Sequence, residues 1–91
     1  MLNTYVVEIR FDRDNEARLA VRPSHREFLA ELHDSGRLLM AGPFADDSGA
    51  LLLFSAESEE LVSSLIEADP YARAGVVTYL APRQWVTIIP A

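Results

Sequence analysis

The spacing of the apolar residues constrains the fold more than any other feature, because it changes from alternation to helical spacing and back, twice. Residues 4–11 alternate between apolar and polar side chains, apart from Val6 on the polar face, which predicts a half-buried strand. Residues 12–16 are all charged except Asn15 and predict a turn. Residues 23–35 carry apolar side chains at helical spacing, with Pro23 suited to the first turn of a helix and Gly36 to its C-terminal cap.

In the rest of the chain, two strands that form a hairpin are followed by a second helix and a last strand. The predicted elements are a strand over 38–42, a turn over 46–49, a strand over 50–55, a helix from Ser58 to Asp69, and a β-rich tail over 76–89 that Pro82 bends or confines to a sheet edge. The buried stripe of the second helix is predicted to contain Leu61, Val62, Leu65, Ile66 and Ala68. The order βαββαβ is typical of an α+β ferredoxin-like fold with a four-stranded antiparallel sheet and both helices on one face. We expect residues 1–91 to form one such domain.

The two middle strands also predict an assembly. Residues 38–41 and 51–54 are apolar at successive positions, so they present apolar side chains to both faces of the sheet. A strand that has water on one face alternates instead. Because both helices are expected on one face, we expect a homodimer that packs through the other face. The alternative is that the C-terminal tail folds over it.

Composition excludes several classes of partner. The net charge is −6, and all eight basic residues are scattered arginines, which argues against a nucleic-acid partner. The chain has no cysteine, so disulfides and thiolate metal sites are excluded. The apolar runs are too short to cross a membrane and the first residues lack the pattern of a signal peptide, so we expect a soluble cytoplasmic protein with no membrane partner.

His25 and Asp69 are suited to proton transfer, and both lie next to predicted helix ends. His25 is expected to face the core near the N-terminus of the first helix, where neutral imidazole, the form of a base, is favoured. Neighbouring antiparallel helices would bring Asp69 near the ring and allow it to hold one tautomer. We therefore predict a catalytic His25–Asp69 pair. The alternatives are a histidine bonded to a backbone carbonyl and a turn aspartate that accepts local N–H groups.

Three further residues are candidates for contact with a substrate. Arg22 can orient an anion such as a carboxylate or a phenolate through a bidentate contact, or it can be a solvated side chain. Tyr71 can cover the pocket or fill core space. Ser48, in the hairpin loop, can reach a ligand or serve only the turn.

No metal or cofactor site is indicated. His25 and His33 are about two helical turns apart, too far to share a metal ion directly. The acidic residues Asp12, Asp14 and Glu16 lack the glycine and the final glutamate of a calcium loop. Neither a glycine-rich phosphate loop nor a GxSxG turn occurs in the sequence. We expect a protein without cofactors.

Three stretches in order resemble the YciI-like (YCII-related domain) family. They are RLAVRPSH at 18–25, GRLLMAGP at 36–43, and DPY at 69–71 with AGV at 74–76. The resemblance implies a ferredoxin-like fold of the dimeric α/β-barrel superfamily and a site centred on His25 and Asp69. It also implies similarity to muconolactone-isomerase-like enzymes and to lyases that act on chlorinated hydroxyquinols. The short hairpin loop, with its two aspartates, departs from the family, so ligand contacts that relatives make from this loop are not carried over.

We expect a small cofactor-independent enzyme of the lyase or isomerase type. In this hypothesis His25 transfers a proton on a small aromatic or enolisable substrate, while Asp69 orients and charge-balances the ring. The alternative is a non-catalytic module that binds a small molecule or a regulatory partner, because a fold does not determine function. Only the first hypothesis requires conversion of the ligand and dependence on His25.

Overall fold

The computed structural model describes residues 1–12 and 15–91 and contains strands and helices in the order that the sequence predicts. The elements are β1 (Asn3–Phe11), α1 (Asn15–Asp34), β2 (Leu38–Pro43), β3 (Gly49–Ala56), α2 (Glu59–Glu67), α3 (Pro70–Ala74), β4 (Val77–Tyr79) and β5 (Arg83–Trp85). The five-residue helix α3 is an addition to the predicted set. No helix in the described part of the chain is long and apolar enough to cross a membrane.

The sheet is antiparallel, with the strand order β2-β3-β1-β4. Strands β4 and β5 both pair with β1, so they are two halves of one edge strand. Residues 80–82 separate the two halves. Between the pairs Ile9↔Tyr79 and Val6↔Arg83, these three residues lie opposite only two residues of β1. The interruption contains Pro82, which cannot donate a ladder hydrogen bond. The strand order and the single helical layer confirm the ferredoxin-like α+β fold.

The core lies between the sheet and the helices. Alternate residues of β1 and β3 form its centre, and β2 and the helices supply the rest. The largest buried side chains of this core are Tyr5, Val7, Ile9, Leu32, Leu38, Leu52, Phe54 and Val62. Burial of each such side chain contributes roughly 1.5–3 kcal/mol. No helix of the described residues lies on the opposite face of the sheet, and there Met40, Leu51 and Trp85 remain exposed.

The first helix begins earlier than predicted. Residues 13 and 14 of the predicted turn lie outside the described residues, and Asn15 already belongs to α1. Pro23 therefore lies in the interior of the helix rather than in its first turn. An interior proline removes one backbone hydrogen bond. The helix continues because Arg18, before the proline, and His25, after it, are both buried against the rest of the molecule.

The second helix begins as predicted but ends differently. The Ser58 hydroxyl oxygen accepts a hydrogen bond from the Leu61 N–H at 3.2 Å and caps α2. Helix α2 stops at Glu67, and Asp69 caps a separate helix, α3. The predicted stripe is wrong in two of its members: Leu61 and Ala68 are exposed because they lie about a third of a turn around the axis from the buried centre of α2.

Candidate active site

The side chains of His25 and Asp69 meet inside the protein. The Nδ1 atom of His25 lies 2.8 Å and 3.0 Å from the two carboxylate oxygens of Asp69. The histidine is 6% exposed and the aspartate 1% exposed. Their 44-residue separation is closed by the packing of α1 against α3. The pair that the sequence predicts is therefore within hydrogen-bond distance.

The elements that carry the pair differ from the predicted ones. His25 lies ten residues inside α1, so its expected place near a helix N-terminus is wrong and the dipole argument for neutral imidazole does not apply. Asp69 follows α2 but belongs to the start of α3. The reason is that Pro70 suits the first turn of a new helix as well as it ends the previous one.

Asp69 accepts hydrogen bonds from three directions. Besides the histidine, the backbone N–H of Tyr71 donates at 2.9 Å and the hydroxyl of Tyr79 donates at 2.7 Å. Burial, and next the hydrogen bond to Asp69, raise the pKa of Tyr79, so this hydroxyl keeps its proton. An ionised carboxylate only accepts, which makes Nδ1 of His25 a donor. In the neutral ring Nε2 is then the acceptor, which is the form that a base requires.

Tyr71 fixes the plane of the imidazole. Its ring stacks on the ring of His25 with 3.7 Å between the centroids and 8° between the planes. Tyr71 is buried in α3 and also borders the adjacent cavity, so it both fills core space and forms part of the cavity wall. The ring of His25 is thus held from two sides, by the stack and by the hydrogen bond to Asp69.

A cavity of about 300 Å³ lies between α1 and the β2–β3 hairpin. This volume is at the lower limit for small-molecule sites and suits a single-ring compound. His25 and Arg22 border the cavity, and Arg22 is half-buried. Apolar side chains such as Leu52 and Phe11 complete the wall. The arrangement offers an imidazole, a guanidinium group and an apolar surface to one small ligand.

Ser48 lies apart from the other predicted site residues. It is exposed in the hairpin turn, where its hydroxyl donates to Asp46 at 2.6 Å and its backbone N–H donates to the same oxygen at 3.0 Å. These two bonds, the hydroxyl bond first, lower the pKa of Asp46. The geometry is that of turn chemistry. The structure thus brings His25, Asp69, Arg22 and Tyr71 together, whereas Ser48 is not among the residues that border the cavity.

Sequence reasoning missed three residues at the site. Arg18 and Arg26 border the cavity on either side of Arg22, each four residues away along α1. A helix predicted from residue 15 would have placed all three arginines on one face. Tyr79 reaches Asp69 from β4, and no local pattern in the sequence indicates that contact.

The described residues contain no group of three or more His, Cys, Asp or Glu side chains that could hold a metal ion. The polar side chains that border the cavity are instead those of three arginines, one histidine, one aspartate and one tyrosine. Guanidinium groups bind anions and cannot ligate a cation. The donor set therefore suits an anionic organic ligand.

Comparison with known proteins identifies the family. The sequence profile of the YCII-related domain matches residues 4–86. The chain belongs to the YCII-related domain family. It is 38% identical over 88 residues to Protein YciI of Escherichia coli, with 85% of this chain and 90% of the relative covered. It is 31% identical over 85 residues to protein YjpA of Bacillus subtilis, with 93% and 95% covered.

Two solved structures share the fold of this YCII-related protein. The 5-chloro-2-hydroxyhydroquinone dehydrochlorinase TftG of Burkholderia phenoliruptrix, in complex with 2,5-dihydroxybenzoquinone, is 24% identical and has a TM-score of 0.77, with 94% of each chain covered. Rv0793 of Mycobacterium tuberculosis is 21% identical with a TM-score of 0.54, with 92% of this chain and 99% of the other covered. The resemblance to the YciI-like family is confirmed, and both structures support the same fold.

Proposed function

We propose that this YCII-related protein is a small cofactor-independent enzyme of the lyase or isomerase type. The supporting observation is the buried contact of 2.8 Å between His25 and Asp69 at the wall of a small cavity. In the proposed reaction Nε2 of His25 takes a proton from a substrate, and Asp69 stabilises the imidazolium that forms. The substrate is a small aromatic or enolisable compound, and Arg22 holds its anionic group.

The same proton transfer serves two outcomes. In a lyase reaction, the proton goes to His25 while a leaving group such as chloride departs with the bonding electron pair, and HCl is lost in total. In an isomerase reaction, His25 returns the proton to a different carbon of the substrate. The dehydrochlorinase activity of TftG, a protein of the same fold, favours the first outcome.

The test is a pair of histidine variants. His25→Gln removes the base, and His33→Gln alters the exposed histidine near the end of α1 as a matched control. The assay follows chloride release and ring absorbance with 5-chloro-2-hydroxyhydroquinone, and deuterium incorporation from D₂O with enolisable lactones. We expect His25→Gln to lower turnover by roughly 10²- to 10⁴-fold and His33→Gln to leave it unchanged.

Two results would contradict this proposal. Turnover by His25→Gln within a few-fold of the original protein would remove His25 from the mechanism. Saturable binding without conversion of any compound would favour the alternative, a non-catalytic binding module. Since His25 is stacked on Tyr71, circular dichroism of each variant verifies that the fold is retained.

We also propose that two copies pair through the open face of the sheet. Val6, Leu51, Leu53 and Trp85 border an apolar groove on this face. Apolar patches of this kind mark interfaces. Light scattering should give the mass of a dimer, and Leu53→Glu should give a monomer. Leu61→Glu, at an exposed leucine on α2, is the control, and dimers that survive Leu53→Glu would place the contact elsewhere.

A further inference from the structure

The cavity beside His25 is rich in positive charge, although the chain as a whole is acidic. Arg18, Arg22 and Arg26 border it, at intervals of four residues along α1. Of the acidic residues in the described part of the chain, only Asp47 borders it. The net charge of the chain is −6, so the sign inside the cavity is opposite to that of the molecule. A cavity of this sign concentrates anions.

Arg18 is the buried member of the three arginines. It is 2% exposed, and its guanidinium lies over the ring of Phe11, with Cζ 3.8 Å from the ring centroid. The Nη2 atom donates to Asn15 at 3.1 Å and to Asp47 at 3.4 Å. Among the residues that the structure describes, the buried Nε of Arg18 has no hydrogen-bond partner. A buried donor without an acceptor is unfavourable, so the described residues leave part of the hydrogen-bonding capacity of this guanidinium unused.

Asp47 holds Arg18 loosely. Its side chain is 65% exposed and the contact is 3.4 Å long, so it is a weak ion pair. The turn is held by other bonds, including Asp47 N–H to the Phe44 carbonyl at 2.9 Å and the bonds between Ser48 and Asp46. The Asp47 carboxylate can therefore leave Arg18 without disrupting the hairpin.

We propose that Arg18 forms the anion subsite of this cavity together with Arg22, and that Asp47 occupies Arg18 until the anionic oxygen of a planar substrate takes its place. The inference rests on the proposed function and names the class of its substrate: a single-ring phenolate, enolate or hydroxyquinone anion. Arg18 and His25 are seven residues apart on α1, roughly 10 Å along its axis, and Arg22 lies between them. A single-ring anion with oxygens at opposite positions bridges the arginines and the imidazole.

The test measures binding of 2,5-dihydroxybenzoquinone by calorimetry. Each hydroxyl of this probe is conjugated to a carbonyl, so it is a vinylogous acid and an anion at neutral pH. The chain has no cysteine and no lysine, so side-chain thiols and amines that add to quinones are absent. The comparison probe is the uncharged 2,5-dimethoxybenzoquinone. The variants are Asp47→Asn, Arg18→Gln, and Asp46→Asn as the control on the same turn.

Removal of the competing carboxylate should strengthen anion binding. We expect Asp47→Asn to lower the Kd of the anionic probe about two- to fivefold and to leave the Kd of the neutral probe unchanged. Asp46→Asn should leave the Kd of both probes unchanged. Arg18→Gln should raise the Kd of the anion roughly ten- to a hundredfold and abolish the gain from Asp47→Asn. Asp47→Asn changes an exposed side chain, so this arm holds even if Arg18→Gln fails to fold.

Opposite outcomes overturn the inference. Unchanged or weaker anion binding by Asp47→Asn would make Asp47 a positioning partner of Arg18 rather than a competitor. An equal decrease in the Kd of the neutral probe would show that the charge of the ligand does not explain the tighter binding. The assay reads binding only, so it is separate from the test of turnover: a protein that binds as expected and converts nothing keeps the subsite and loses the enzyme function.

Discussion

Replacement of Asp69 by asparagine isolates the contact on which the site depends. The variant removes the negative charge and replaces one acceptor oxygen with an NH₂ group. Asparagine caps helices as well as aspartate does, so the start of α3 is retained. The change therefore acts on the His25 and Tyr79 contacts and spares the local helix.

The size of the effect follows from the three donors that converge on this carboxylate. Asparagine keeps one oxygen, and when that oxygen accepts from the Tyr71 N–H, the NH₂ group takes the place of the oxygen that faces His25 and Tyr79. A buried donor left without an acceptor costs about 1–3 kcal/mol. In a domain of this size each kcal/mol lowers the melting temperature by about 4–8 °C. We expect Asp69→Asn to fold with a clearly lower melting temperature.

The decisive assay is nitrogen-15 NMR of the histidine rings at mildly alkaline pH. In the original protein the proton of His25 should reside on Nδ1, and in Asp69→Asn it should move in part or fully to Nε2. His33 provides an internal control, because its Nδ1 lies 2.9 Å from the carbonyl oxygen of Leu38 and that contact is untouched. His33 should keep its proton on Nδ1 in both proteins.

Two spectra would refute this reasoning. If Nδ1 of His25 carries no proton in the original protein, the assignment of the base to Nε2 is contradicted. An unchanged His25 tautomer in Asp69→Asn, with His33 also unchanged, would show that the aspartate does not select the tautomer. Either result would also weaken the role that Asp69 has in the proposed reaction.

Three further predictions concern stability. A Cβ at Gly49 would overlap the carbonyl oxygen of Ile9, so Gly49→Ala should destabilise by roughly 3 kcal/mol in urea denaturation, whereas Gly42→Ala, with open space around it, should remain within about 1 kcal/mol. Tyr79 has a raised pKa, so its contribution to the free energy of unfolding is complete below pH ~10 and is lost as the pH rises above that value. Tyr79→Phe should therefore reduce the slope with which the free energy of unfolding falls at alkaline pH, by up to about 1.4 kcal/mol per pH unit. Identical slopes for the variant and the original protein would contradict this. Ser58→Ala should lower the unfolding free energy by about 1 kcal/mol, and no change would exclude a capping role.

Much of the fold could be predicted because its signals are local. The alternation in β1 distinguishes the two faces of one strand, and Ser58 caps α2 through a bond only three residues long. The turn residues between β2 and β3 indicate a hairpin, and the two strands pair. Each of these signals depends on neighbours in sequence, which is the range that periodicity and capping rules describe.

The remaining features depend on tertiary contacts. Pro23 favours a helix start, and only the burial of Arg18 and His25 on either side of it explains a helix that passes through. Arginines are rarely fully buried, so nothing local indicates that Arg18 lies on Phe11. The predicted meeting of His25 and Asp69 came from the topology of the fold, whereas the third contact, from Tyr79, depends on the placement of β4.

Asp69 has two roles in the same few atoms, and this couples the formation of α3 to the position of the His25 ring. The oxygen that accepts the N–H of Tyr71 and so starts α3 is also one of the two oxygens next to His25. Local opening of this five-residue helix releases the histidine, and Tyr71, which stacks on it, leaves at the same time. Amide hydrogen exchange at Tyr71 thus measures the fraction of molecules in which Asp69 and Tyr71 hold the imidazole of His25.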